Sequence, residues 1–301
     1  MLFTEYLRIL LIGMWLILAY GVGSAHVYAL SATDQAVSHY NLVMPHSPNR
    51  NSRNRYVEEL VEQALKTQGQ TVSFEYYPFP TNVKRTMLLM GENAQIDLTW
   101  MPATHEYVNS FSYITLPLYQ GLHGIRLLLI HNDNQQRFAA VNSLDDLAQL
   151  MGLQHESWSD TAVLLSNGLS VNRELDYDNM IRAIGLKVAD YFPRSAMTIQ
   201  YEQQKVKEQG IIIEPYLALV YPSYYLLFVS EKSPELKASL QRGVDHLIQE
   251  QKFMLIFERY FKDRYQGLDL SQRKKLILKN NDIPPELITT LNSRLMFGVD
   301  N

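Results

Sequence analysis

The sequence predicts an α/β protein of two lobes, each a mostly parallel sheet flanked by helices, and three observations predict it. Strand-like and helix-like runs alternate through residues 41–102, the pattern of a parallel sheet with helices on its faces. Residues 114–131, Ile-Thr-Leu-Pro-Leu-Tyr-Gln-Gly-Leu-His-Gly-Ile-Arg-Leu-Leu-Leu-Ile-His, read as a crossover between lobes. A helix that ends in Gly, followed by a strand with an early Asp, occurs twice: Met90-Gly91 with Ile96-Asp97, and Ile184-Gly185 with Val188-Ala189-Asp190. Gly121 and Gly124 in the crossover imply bending or close backbone approach. An ordinary strand–turn–strand inside one domain is the competing reading of that stretch.

The 301 residues are 47% hydrophobic and 19% charged, a globular composition with room for two lobes. A net charge of -4 gives no general attraction to nucleic acid or anionic lipid. The absence of cysteine excludes disulfides and thiolate chemistry. Arg8 precedes an apolar stretch over 9–20, and small residues follow, so 1–29 reads as a secretory signal peptide. Cleavage follows Ala25 or Ala29. The alternative, an uncleaved anchor, requires a longer apolar span of about 20 residues.

Residues 41–45 predict a strand, followed by the polar loop 47–55. Val57, Leu60, Val61, Ala64 and Leu65 recur on one helical face, ended by Gly69. A strand over 71–77 closes at Pro78 and Pro80, and Thr81 caps a helix through Met90. A third strand covers 96–100. In open sheets ligands sit beyond the carboxyl ends of strands, so the loops 45–55, 77–81 and 100–105 form the predicted binding edge. Beyond the crossover the sequence predicts helices over 142–147, 160–167, 175–184 and 196–204, and strands over 152–155, 188–192, 211–214 and 224–229. Ser233-Pro234-Glu235 starts a long helix, and Phe253, Ile256, Phe257, Tyr260 and Phe261 continue as a closing amphipathic one. The charged remainder predicts a surface helix and an irregular tail.

The ordered set of these weak motifs resembles the extracellular solute-binding proteins of family 3, which have the type II periplasmic binding fold. It comprises the βαβ lobe, the helix–Gly–strand–Asp step, Pro-Leu-Tyr before Leu-Leu-Leu-Ile, Asn-Ser-Leu-Asp-Asp-Leu, Tyr-Leu-Leu-Phe-Val and Ser-Pro-Glu-Leu, and it covers about residues 40–261. The resemblance implies a signal peptide over 1–29, a first lobe over 30–120, a second over 121–222, a return over 223–262 and an extension over 263–301. It implies a periplasmic protein that binds a small polar solute, without catalysis or cofactor, for an inner-membrane ABC permease or a membrane sensor. Two departures mark a divergent member. The Thr-x-x-Arg step that clamps an amino-acid carboxylate in the family is Ala103-Thr104-His105-Glu106-Tyr107 here, and the ammonium-accepting Asp gives way to Arg194-Ser195.

Arg194 offers a planar fork for an anion, or a structural ion pair. With Ser195 it forms one candidate pair. Trp100, Trp158, Tyr77 and Tyr119 are candidate aromatic walls, and Arg53 and Arg55 candidate cations at the cleft mouth. Packing and solvated loops are the competing readings. Arg126, inside an apolar strand, reads as structurally paired. The eight histidines make no metal-binding spacing, and no nucleophile elbow, phosphate loop or dinucleotide fingerprint occurs. The expected function is binding of a small polar solute, anionic in one reading, between lobes. An enzyme on the same fold, such as a cyclohexadienyl-dehydratase-like relative, and a ligand-free scaffold are the alternatives.

Overall fold

Alternating strand and helix signals become twelve strands and eleven α-helices among the residues that the structure, a computed structural model, describes: 38–49, 51–91 and 95–297. The segment 1–29, expected to be a signal peptide, lies outside them. In chain order these are β1 (His39–Met44), α1 (Ser52–Lys66), β2 (Thr71–Tyr76), α2 (Val83–Met90), β3 (Leu98–Pro102), α3 (His105–Ser110), β4 (Ser112–Ile114) and β5 (Ile125–His131). Then come α4 (Gln135–Ala139), α5 (Leu144–Ala148), β6 (Gly152–Leu153), α6 (Ser159–Ser166), β7 (Val171–Asn172), α7 (Tyr177–Gly185), β8 (Phe192–Ser195) and α8 (Ile199–Val206). The last are β9 (Ile211–Ile213), β10 (Leu217–Val220), β11 (Tyr225–Val229), α9 (Pro234–Gln249), α10 (Lys252–Tyr265), β12 (Lys274–Ile277) and α11 (Pro285–Asn292).

Two main sheets organise the fold. In the first, β11 lies between β3 and β4, antiparallel to both, so β3 and β4 run the same way. The parallel pair β1–β2 joins this sheet through Asp97, whose Oδ2 accepts the Val43 amide at 2.9 Å. In the second, β5 is antiparallel to β10, β8 and β9, while β12 runs parallel to β10. Each sheet thus has one strand opposing a common direction. That strand, β5 or β11, directly follows a crossing of the chain from the other sheet.

The internal echo has a physical basis. Asp190 does for Met151 what Asp97 does for Val43: its Oδ2 accepts that backbone amide at 2.7 Å. In each case a carboxylate after the helix–Gly step ties the strand that follows to the strand two back in the chain, β3 to β1 and β8 to the start of β6. Gly124 approaches backbone as its residue type implies: a Cβ there would lie 2.0 Å from the Tyr221 carbonyl oxygen, where the two crossings touch.

Local signals place most helix starts. Ser143 and Asp146 form a reciprocal capping box on α5. Asn51 and Asn82, rather than Thr81, cap α1 and α2. Ser233 precedes α9, yet its side chain makes no cap; Pro234 at the first position marks the start. The strand expected over 188–192 forms instead at Phe192–Ser195 and runs through Pro193. Lys187, in the left-handed region, breaks the chain first. The expectation for the tail also needs correction. Lys274–Ile277 is an edge strand of the second sheet, with Leu276 and Leu278 buried beside Leu128 and Ile130. Ile283, Leu287 and Leu291 pack with Met90, Ile96, Leu226 and Phe228 of the first.

Candidate functional site

The predicted binding edge is a cavity. The ends of β1 and β3 and the starts of α1 and α2 enclose about 280 Å³, lined by His46, Asn51, Asn54, Asn82, Thr99 and Trp100 among others. Its walls are held by their own hydrogen bonds. Asn51 accepts the Arg53 and Asn54 amides, Asn82 the Arg85 amide, and Ser47 donates to Asn54 at 3.0 Å. His46 Nδ1 lies 3.1 Å from the Tyr77 carbonyl oxygen, which fixes Nδ1 as the protonated nitrogen. Tyr77 itself packs edge-on to Phe79. A second cavity, about 400 Å³, begins on the same strand end at Pro102–Thr104 and is bounded by Asp160, Tyr221 and the loop at Asp282.

Behind these cavities lies a buried polar cluster at the crossover. Arg126 donates from Nε to the Tyr221 hydroxyl at 2.8 Å and from Nη2 to Asp160 Oδ1 at 2.6 Å, and Tyr221 donates to the same oxygen at 2.6 Å. Burial opposes the charge on Arg126, but Asp160 and Tyr221 outweigh it and its pKa lies above the usual value. The structural pairing expected for this residue is therefore present. His123 packs 4.8 Å from the Tyr119 ring and 4.6 Å from the Tyr225 ring. Burial, then Arg126 and Arg53, hold its pKa well below the ordinary value, so it is neutral.

His123 Nε2 is buried without a hydrogen-bond partner among the described residues, and the Tyr119 hydroxyl has none in hydrogen-bond geometry, although the Trp100 side chain lies close enough to act on it. Burial pushes the Tyr119 phenol up, against the opposing pull of Arg53 and the Trp100 side chain. Arg53 is half-buried, and its guanidinium forms no ion pair among the described residues. Arg53, Trp100 and Tyr119 are thus brought together. Arg126 is paired by Asp160, whereas Arg53 has no carboxylate partner among the described residues and adds uncompensated positive charge near Tyr119 and His123.

Arg194 and Trp158 also meet, but in a different role. Arg194 donates from Nε and Nη2 to Glu202 at 2.5 and 2.6 Å, and its guanidinium stacks 5.0 Å from the Trp158 ring and 4.7 Å from that of Phe192. Of the two readings of Arg194, the ion pair is the one formed. Ser195 is buried, contacting the Leu122 carbonyl at 3.4 Å. Arg55 is exposed on α1. His123, Tyr225, Tyr221 and Asp160 were not singled out by the sequence. The available signal was Arg126 in an apolar run, which demands a buried acidic partner. Among the described residues no group of side chains has the makings of a metal site.

No family model matches the chain, and no curated protein does. Solved structures do. YckB from Bacillus subtilis is 12% identical with a TM-score of 0.53, over 80% of this chain and 97% of that one. The second substrate-binding domain of GlnP from Lactococcus lactis, in an open conformation, is 16% identical with a TM-score of 0.50, over 75% and 97%. The chain has the type II periplasmic-binding fold. At such identities the likeness concerns the fold alone, and the roles of the side chains rest on the geometry above. Among the described residues no helix is long and apolar enough to cross a membrane.

Proposed function

We propose that this chain is an exported, non-catalytic solute-binding protein that takes a small anionic molecule between two lobes, one built on each main sheet. The observation that carries this reading is Arg53, half-buried and without a carboxylate partner beside the unpartnered Tyr119 hydroxyl and His123 Nε2. A carboxylate or similar anion supplies what these groups lack: acceptor oxygens for the guanidinium fork and the phenol, and a negative charge. Trp100 and the 280 Å³ cavity beside it provide an aromatic, polar-edged space for the rest of the molecule. Neutral His123 adds one donor or acceptor, depending on its tautomer. In this role the protein would deliver the solute to an ABC permease or report it to a membrane sensor.

Mass spectrometry of small molecules released from the purified protein, followed by calorimetry with the compound found, tests the proposal. Arg53→Ala should weaken binding by about 1.5–3 kcal/mol, the range for a hydrogen bond to a charged group. Arg53→Lys should not restore it fully, because the planar fork is lost. Unchanged affinity in Arg53→Ala refutes the anion site.

A further inference from the structure

The segment after Tyr265 reaches both sheets and the crossing between them. β12 lies along β10 at the edge of the second sheet, and α11 buries Leu287 and Leu291 in the core of the first. Between them, the Asn280 side chain donates to the Pro222 carbonyl at 2.9 Å, and the His105 amide donates to the Asp282 carbonyl at 2.8 Å. Beyond α11 the chain returns to the crossover. Arg294 donates to the Thr115 carbonyl at 2.9 Å and to Asp245 at 3.0 Å. Gln120 accepts twice, from the Met296 amide on its side chain at 3.0 Å and from the Phe297 amide on its backbone at 3.1 Å.

The crossover is shaped to receive this end. Gln120 has φ 51° and Gly121 φ 83°, both left-handed. A residue with a side chain keeps such a conformation only where its surroundings impose it. At Gly121 a Cβ would come 1.9 Å from the Phe297 carbonyl oxygen, so only glycine admits the returning chain. The two ends of the segment are held differently. α11 is anchored by buried leucines, whereas residues 294–297 include no buried side chain and are held by hydrogen bonds and by the partly buried Leu295 and Phe297, the latter 5.0 Å from the Tyr265 ring. The final turn can therefore leave while the helix stays.

We propose that residues 266–297 are an internal brace: by pinning the crossover at Gln120–Gly121 and gripping both sheets, they hold the sheets in one relative arrangement, which changes only when 294–297 lets go. The proposal does not depend on solute binding and is tested without a ligand. The absence of native cysteine permits site-specific spin labelling. Glu62→Cys on α1 and Glu174→Cys beside β7, both exposed, place one label on the side of the first sheet and one on the small β6–β7 sheet, which bridges at Gly152 to Tyr191 beside β8 of the second. Pulsed dipolar spectroscopy on the full chain should give one narrow distance. Gln120→Ala combined with Arg294→Ala should add a shifted second distance. Gly121→Ala, which displaces Phe297 sterically, should do the same. Circular dichroism and retained exchange protection of α11 confirm that both variants are folded. A distribution that stays narrow in both folded variants, or one already broad before either substitution, overturns the brace.

Discussion

Asp160 is the point where removing one group should cost the most. Its Oδ1 is the shared acceptor for Arg126 Nη2 and the Tyr221 hydroxyl, each at 2.6 Å. Arg126 is only 8% exposed and cannot shed its proton. Asp160→Ala therefore leaves a buried cation with only a phenol beside it, and with Arg53 and His123 nearby. Breaking a buried pair from one side costs about 3–5 kcal/mol. At about 2–4 °C per kcal/mol for a domain of this size, the midpoint of thermal unfolding should fall by roughly 6–20 °C. Asp160→Asn keeps an acceptor but not the charge and should fall between the parent and Asp160→Ala. The double variant Arg126→Met with Asp160→Leu removes both charges and should lie closer to the parent than Asp160→Ala does, since apolar replacement of a buried pair is often neutral or better. Urea and thermal unfolding of the four proteins compare these losses. If Asp160→Ala lies within about 1 kcal/mol of the parent, the range of an exposed pair, the pair is not compensating a buried charge.

His123 predicts a pH dependence. Its folded pKa is depressed by burial and by Arg126 and Arg53 below the ordinary 6.5, so its contribution is fully present above that value and is lost as pH falls toward the folded pKa. Chemical unfolding below about pH 6.5 should lose up to about 1.4 kcal/mol per pH unit from this group, and His123→Gln should flatten the curve; equal slopes would remove His123 as the cause. Leu291→Ala should destabilise by about 2–5 kcal/mol if α11 is part of the core, whereas a surface helix would give a change near zero in the same assay. Asp97→Ala leaves the Val43 amide unpaired where Asp97 is buried and should cost about 1–3 kcal/mol, more than Asp190→Ala at its more exposed counterpart; the reverse order in urea titrations would contradict the shared role of the two carboxylates.

What could be read from the sequence alone was local. The helix face of Val57, Leu60, Val61, Ala64 and Leu65, the capping box at Ser143, the stop at Gly91 and the apolar run of β5 each depend on neighbours within a turn or two, so the element order and the α/β class followed from them. The cavity at the ends of β1 and β3 lies where the sequence placed its loops, because sheet direction sets where loops gather. Only the tertiary structure decided which charges meet. Arg126 finds Asp160 34 residues away, Tyr221 finds it from 61, and the Met296 amide finds Gln120 across 176. Arg194 became a paired side chain because Glu202, one helix start away, reached it first. Arg53 gained its setting because Trp100 and Tyr119 arrive there on separate elements. The tail read as surface because its few apolar residues carry little periodic signal; β10 and the α2–β3–β11 face supplied the partners that bury them. Periodicity encodes which face of an element is apolar, but the partner of a buried charge depends on how distant elements cross.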